Sequence, residues 1–128
     1  MEPLPDDVRQ FLAANVDSLE QLEALRILSE GVKQEWRVAD FAAQIQATPE
    51  LTLAHVAALE ARGLLHCERR EDNLFCRYGC RSPDLDQQLQ ALLACYRQRP
   101  VTMIRLVSQR ATDALRDFSD AFKLRKEN

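Results

Sequence analysis

Apolar residues in the middle of the chain change their spacing, first following a helix and then a strand. Two groups recur at intervals of three or four residues, namely Phe41, Ala42 and Ile45, then Leu53, Val56 and Leu59. Beyond Gly63, strand-forming residues occur in two runs on either side of Arg70–Asn73. The pattern from Trp36 to Tyr78 therefore predicts two short helices, a tight turn between them and then a β-hairpin.

Local signals mark the ends of these two helices. Thr48 can cap the second helix, and Pro49 suits its first position, where a missing N–H costs nothing. Gly63 stands where a helix commonly ends in the left-handed conformation. Trp36 comes just before the first helix, and we expect its ring to cover the edge of the core.

The hairpin has a predicted register. A four-residue loop at Arg70–Asn73 places Cys67 opposite Cys76 and Arg69 opposite Leu74. One face then carries Leu65, Cys67, Leu74, Cys76 and Tyr78, and the other carries His66, Glu68, Phe75 and Arg77. This division into an apolar and a polar face is what a half-buried hairpin requires.

Two helices are predicted before this unit. The first runs from about Pro5 to Asn15 and has apolar residues on one side. Ser18 is a plausible N-cap for the second, and Gln21, three residues later, completes a capping-box pattern. The second helix has a strong apolar face and ends at Gly31.

A helical arm is predicted after the hairpin. Ser82 caps a helix that starts at Pro83, and Pro100 either kinks this helix or separates it from the next one. A last helix is predicted from Thr112. The apolar positions of the arm include Leu89, Leu93, Tyr96, Ile104, Phe118 and Phe122. These residues must pack against the rest of the chain or against another chain, and we expect them to form a homodimer contact.

The chain is therefore predicted to be mainly α-helical with a small β-hairpin. Residues 1–81 form the central unit with its N-terminal helices, and residues 82–128 form the C-terminal arm. At 128 residues with 46% hydrophobic and 29% charged residues, the composition is that of an ordinary globular protein. No apolar run approaches the roughly 20 residues that span a bilayer, and the acidic N-terminus has no signal-peptide pattern. We expect a cytoplasmic protein without a membrane partner.

Charge is distributed unevenly. Residues 1–63 carry 5 Lys/Arg against 11 Asp/Glu, whereas residues 97–128 carry 8 against 4. A protein that binds nucleic acid usually shows a basic surface, because neutralised phosphates supply much of its affinity. The acidic balance of the first half does not exclude such binding, but it gives no support to it.

Residues 18–79 resemble the winged helix-turn-helix domains of bacterial transcriptional regulators of the broad MarR and PadR kind. The matching positions are Trp36, Asp40-Phe41-Ala42, Ile45, Thr48, Val56, Leu59 and Arg62-Gly63-Leu64-Leu65. The stretch Val16–Glu23 is also similar to a group of uncharacterised bacterial winged-helix proteins. The resemblance implies that the second helix of the motif enters the major groove of duplex DNA. It also implies that the wing touches the backbone or minor groove, and that the flanking helices form a homodimer.

The predicted DNA-facing residues differ from those of the family. Such regulators usually carry polar side chains at the exposed early positions of the recognition helix, because base edges demand hydrogen-bond donors and acceptors. The corresponding residues here are Glu50, Leu53, Ala54, Ala57 and Ala58. Useful polar chemistry remains at Thr52, His55 and Arg62 of the helix and at Arg69, Arg70 and Arg77 of the wing. These six are the candidate DNA-binding residues.

A second hypothesis comes from the same helix. Small and apolar residues such as Leu53, Ala54 and Ala57 permit close approach of another helix. The winged-helix fold would then serve as a protein–protein interaction module with little or no DNA binding. An acidic domain of this kind suits a basic protein partner.

No residue pattern predicts an enzyme or a cofactor. The two histidines are distant in sequence, and neither belongs to a recognisable Ser/His/Asp or Cys/His arrangement. The cysteines Cys67, Cys76 and Cys80 are weak candidates for a metal or redox site, since no Cys-x-x-Cys pair is present. Buried structural thiols are the expectation favoured by a cytosolic setting.

Overall fold

The computed structural model describes residues 4–31 and 33–109. The elements in chain order are α1 (Asp6–Asn15), α2 (Leu19–Glu30), β1 (Glu35–Arg37), α3 (Val38–Gln44), α4 (Pro49–Ala61), β2 (Leu65–Arg70), β3 (Asn73–Tyr78) and α5 (Pro83–Gln98). A further helix, α6, covers residues 100–109. The helix predicted from Thr112, with Phe118 and Phe122, lies outside the described residues. Within the two described stretches, no helix has both the length and the apolar composition that a bilayer crossing requires.

Three serine and threonine caps begin helices as predicted. The side-chain oxygens of Ser18, Thr48 and Ser82 each accept a hydrogen bond from the backbone N–H three residues later, at 3.2 to 3.3 Å. Each bond satisfies a donor that the first turn of a helix leaves without a partner. At the other end of α4, Gly63 has a φ of +79°, which confirms the predicted left-handed stop.

The turn between α3 and α4 is closed by backbone hydrogen bonds. The N–H of Ala47 donates to the carbonyl of Ala42 at 3.1 Å, and the N–H of Gln46 donates to the carbonyl of Ala43 at 3.4 Å. These two bonds form a Schellman motif, whose left-handed residue is usually glycine. Here that residue is Gln46, with a φ of 56°. The bend between the two helices is therefore set by a residue under backbone strain.

The three strands form one antiparallel sheet in the order β1-β3-β2. The predicted hairpin register is confirmed, with Cys67 opposite Cys76. The loop is shorter than predicted, because Arg70 pairs with Asn73 and leaves two residues to reverse the chain. Glu71 makes this turn with a φ of 55°.

Strand β1 was not predicted from the sequence. Its three residues pair with β3, and Trp36 lies opposite Cys76. The Trp36 ring lies 5.6 Å from the ring of Phe41, and its side chain is half-buried. The expectation that Trp36 covers the edge of the core is confirmed.

One core runs through all the described helices and the inner face of the sheet. Its fully buried members include Leu22, Leu25, Leu28, Phe41, Val56, Leu59, Leu64, Leu89, Leu92, Leu93 and Met103. Burying one such side chain contributes about 1.5–3 kcal/mol. The core therefore joins the N-terminal helices, the bent helix pair and the arm.

The arm folds back on its own chain, which corrects the expected homodimer contact at three positions. Leu89 and Leu93 are 0% exposed, and Tyr96 is also buried. Helix α5 packs against α1, and the Tyr96 hydroxyl donates to Glu23 Oε2 of α2 at 2.9 Å. Helix α1 packs on the stripe of α5 and α2 adds a hydrogen bond, so these buried residues cannot form a surface for a second copy. Ile104 is half-buried.

Pro100 separates two helices. Helix α5 ends at Gln98, Arg99 adopts a φ of −134°, and α6 begins at residue 100. A proline in the first turn of a helix costs no hydrogen bond. The break lets the chain start a new helix and bury Met103 and Val107 in the common core.

Replacing Gln46 by glycine should stabilise the fold by about 0.5–1 kcal/mol, because glycine adopts a positive φ without steric cost. The measurement is the free energy of unfolding by urea. The matched control is Gln44→Gly, which makes the same chemical change inside α3 and should lower stability by roughly 0.5–1 kcal/mol. Equal destabilisation by both variants would show that the left-handed turn carries no strain.

Candidate nucleic-acid interface

The outward surface of α4 is apolar. Its exposed residues include Leu51 at 54% and Leu53 at 43%, together with Ala54 and Ala57. Glu50 adds a carboxylate in the first turn. The buried stripe of this helix consists of Thr52, Val56 and Leu59, so the predicted stripe is wrong in one member, Leu53.

Thr52 does not belong to this outward surface. Its side chain is 0% exposed, and its hydroxyl donates to the backbone carbonyl of Thr48 at 2.8 Å. The prediction that Thr52 contacts DNA bases is therefore wrong. The hydroxyl instead makes its hydrogen bond within the first turn of α4, as a buried polar group must.

Arg62 is held by the connection between α1 and α2. Its Nη1 donates to the carbonyl of Asn15 at 2.6 Å and to Gln21 Oε1 at 3.2 Å, and its Nη2 pairs with Asp17 Oδ2 at 2.7 Å. Charge-assisted bonds of this kind are among the stronger ones in proteins. Since its guanidinium is engaged inside the fold, the expected role of Arg62 in DNA binding is corrected to a structural one.

Gln21 lies at the centre of this network. The side chain is 3% exposed, and its Oε1 also accepts from the backbone N–H of Asp17 at 2.9 Å. Its Nε2 lies 3.2 Å from Nδ1 of His55. The Gln21 side chain thus bonds the backbone of Asp17, which is one residue before the N-cap Ser18. It also connects the half-buried His55 of α4 to α2. We call the group formed by Asp17, Gln21, His55 and Arg62 the α2–α4 network.

The wing presents two arginines near its tip. Arg70 pairs with Glu35 of β1, and its guanidinium lies 4.1 Å from the centre of the Phe75 ring. Arg69 is exposed and has no ion pair with any described residue. Glu68, Glu71 and Asp72 are exposed nearby, so the wing carries charges of both signs.

A groove of about 190 Å³ lies where the wing tip approaches the beginning of α4. Its lining includes Pro49, Leu53, Arg69 and Leu74, together with the start of α3. Arg37 also lines it and pairs with Asp40 at 3.2 Å. The groove therefore combines apolar side chains with Arg69, which has no ion pair in the described part of the chain, and with the carboxylate of Asp72.

Arg77 lies at the opposite end of the hairpin. In the sheet register it is opposite His66 on one side and Glu35 on the other. Arg77 is four positions from Asn73 in β3, a distance of about 13 Å along a strand. Arg77 therefore cannot share the groove at the wing tip with Arg69.

The cysteines are free thiols in the described structure. Burial is the main cause that raises the pKa of both Cys67 and Cys76 to about 12. Burial also raises the pKa of Cys80. Among residues 4–31 and 33–109, no group of three or more His, Cys, Asp or Glu side chains is placed to hold a metal ion. Protonated thiols are poor nucleophiles, so these residues act as apolar packing groups at neutral pH.

Solved structures with the same architecture include regulators from several bacteria. The homodimeric winged helix-turn-helix DNA-binding domain Mb0332 from Mycobacterium bovis, a possible ArsR-family transcriptional regulator, matches with a TM-score of 0.54 at 16% identity, over 77% of this chain and 93% of that one. AbsC from Streptomyces coelicolor, a MarR family transcriptional regulator, matches with a TM-score of 0.51 at 17% identity, over 97% and 82%. Reduced HlyU from Vibrio cholerae gives 0.53 at 15% identity, over 72% and 88%.

This protein has a winged helix-turn-helix fold. In that architecture α3 and α4 are the two helices of the motif, and β2 and β3 form the wing. No family model and no curated protein matches the sequence. The low identities mean that the winged-helix neighbours identify the fold, and the side chains on α4 and the wing must decide the activity.

Arg62→Ala should lower the free energy of unfolding by about 1–3 kcal/mol, because it leaves Gln21 Oε1 and the Asn15 carbonyl without a charged donor. Urea denaturation provides the measurement. Arg69→Ala is the matched control, since it removes an exposed arginine without an ion pair in the described structure and should change stability by less than about 0.5 kcal/mol. Equal effects of the two substitutions would contradict the structural role of Arg62.

Proposed function

We propose that this protein is a bacterial transcriptional regulator that binds duplex DNA mainly through phosphate contacts. The observation that carries the proposal is Arg69, a wing cation beside the first turn of α4 that has no ion pair with any residue the structure describes. Winged-helix regulators present these two elements to DNA together. Arg70 lies next to it and can exchange its contact with Glu35 for a phosphate, because an exposed ion pair contributes little stability.

Helix α4 supplies little discrimination between base pairs on this proposal. Leu51, Leu53 and Ala54 can contact the methyl group of thymine, and Glu50 can accept a hydrogen bond from cytosine. None of them can make the bidentate contacts by which arginine recognises guanine or glutamine recognises adenine. Weak sequence preference together with steep salt dependence is the expected behaviour.

We further propose that the protein is a homodimer and acts in the cytoplasm. The structural neighbour Mb0332 is described as homodimeric, which supports this assembly. Because Leu89, Leu93 and Tyr96 are buried within one chain, a dimer would use other apolar residues of the arm. Val101, which is 61% exposed on α6, and Ile104 on the same helix are candidates.

A second function is favoured by the apolar surface of α4. Leu51 and Leu53 are two of the three large hydrophobic residues that are exposed in the described structure, and the third is Val101. Ala54 and Ala57 leave room beside them for another helix. On this hypothesis the winged-helix fold binds a protein through α4, and the polar side chains of α4 serve only the fold.

Substituting Arg69 and Arg70 by alanine should flatten the salt dependence of DNA binding. Each lost phosphate contact lowers the slope of log affinity against log salt by about one unit. The measurement is fluorescence anisotropy of a labelled random duplex over a range of salt concentrations. Arg97→Ala, an exposed arginine of α5, is the matched control and should leave the slope unchanged. An unchanged slope in the double variant would reject the phosphate contacts.

Leu53→Asp should abolish protein binding if α4 is a docking surface, because it places an unpaired charge in an apolar contact. Wild type, Leu53→Asp and Ala91→Asp, at an exposed position of α5, are used as baits under salt that dissociates DNA, and bound proteins are identified by mass spectrometry. The hypothesis predicts a protein retained by wild type and Ala91→Asp but lost with Leu53→Asp. Identical protein sets for all three baits would eliminate it.

A further inference from the structure

A second cavity, of about 440 Å³, lies at the far end of α4 from the wing tip. It is bounded by the last turn of α4, the base of the hairpin and the segment that leads into α5. The lining residues are Glu60, Gly63, Leu65, His66, Arg77, Gly79, Cys80 and Arg81. This volume is in the range of pockets that hold small molecules.

Two arginines of this cavity have no ion pair with any residue of 4–31 or 33–109. The arginines of these stretches that do have ion pairs include Arg26, Arg37, Arg62 and Arg70. Arg77 and Arg81 have none. The carboxylate in the lining belongs to Glu60, and its Oε2 accepts the backbone N–H of Cys67 at 2.7 Å. The cavity therefore carries two guanidinium groups against one carboxylate, in a protein whose net charge is −3.

The backbone positions of both arginines are set by the sheet and by the turn before α5. Strand β3 places Arg77 opposite His66 in the sheet register. The backbone N–H of Arg81 donates to the carbonyl of Gly63 at 2.7 Å, and its Nη2 donates to the carbonyl of Ala61 at 3.2 Å. A Cβ atom at Gly63 would lie 2.9 Å from Cβ of Arg81, so the glycine is needed for this close approach.

The opposite wall of the cavity is open. A Cβ atom at Gly79 would meet only Cβ of His66, at the ordinary distance of 3.7 Å. The imidazole of His66 carries at least one N–H donor in any protonation state. Guanidinium and imidazole donors around an open space match the acceptors of a phosphate or carboxylate group.

We propose that this cavity binds a small molecule through a phosphate or carboxylate group, with Arg77 and Arg81 as its charged donors. The 13 residues of α4 span about 20 Å, so the site lies well away from the wing tip and the first turn of α4. Its bound anion is therefore distinct from the DNA phosphates at Arg69. The proposal does not depend on DNA binding. An anion held here would join α4, the hairpin and the arm, which are the three elements that meet at the cavity.

The test is isothermal titration calorimetry of the full chain with inorganic phosphate, at constant ionic strength maintained with chloride and without DNA. Wild type should bind phosphate, and Arg77→Gln or Arg81→Gln should weaken binding about tenfold or more, as loss of a charge-assisted hydrogen bond requires. Arg97→Gln is the matched control, with the same charge change at an exposed arginine of α5, and should bind as wild type does. Circular dichroism checks that each variant is folded.

Two results would overturn the proposal. One is the absence of phosphate binding to wild type, and the other is equal binding of phosphate by the Arg77, Arg81 and Arg97 variants. If phosphate does not bind and the Arg77 and Arg81 variants also lose DNA affinity and salt slope, the two arginines are DNA contacts instead. If wild type binds phosphate but no DNA, the proposed anion site in the cavity is supported and the proposal that the protein is a DNA-binding regulator is rejected.

Discussion

The position of α4 depends on one buried amide. Gln21 is enclosed between the first two helices and the motif, where a polar group without partners would cost about 1–3 kcal/mol. It has partners on every side, since its oxygen accepts from Asp17 and Arg62 and its nitrogen contacts His55. The amide thereby joins the connection between α1 and α2 to the middle and the end of α4. The α2–α4 network and the apolar core together hold the helix pair α3 and α4 in place.

This arrangement has a direct consequence for function. Thr52 and His55 of α4, and Arg62 just beyond its end, are turned toward the protein or bonded to it. The outward surface of α4 therefore carries mainly leucine and alanine, together with Glu50. A helix with such a surface can lie against DNA or a protein, but it offers few hydrogen bonds to base edges. If the protein binds DNA as we propose, the wing arginines are then the main source of its affinity for DNA.

Local chemistry made much of the fold predictable. Caps, the glycine stop and the hairpin register depend on residues close in sequence, and all were predicted correctly. The sequence did carry a signal for the burial of Thr52, because it precedes Val56 by four residues and so shares its stripe. Strand β1 was missed because three residues are too few to show an alternating pattern. The partner of the α5 stripe was also predicted wrongly, since an apolar face does not specify which helix covers it.

A double-mutant cycle on Gln21 and Arg62 tests most directly whether the α2–α4 network holds α4 in place. Gln21→Ala, Arg62→Ala and the double variant are compared with wild type by urea denaturation. The account predicts that the two substitutions are coupled by about 1 kcal/mol or more, because each removes the partner of the other. Effects that add to within about 0.3 kcal/mol would contradict it, and would mean that Arg62 does not hold α4 through Gln21.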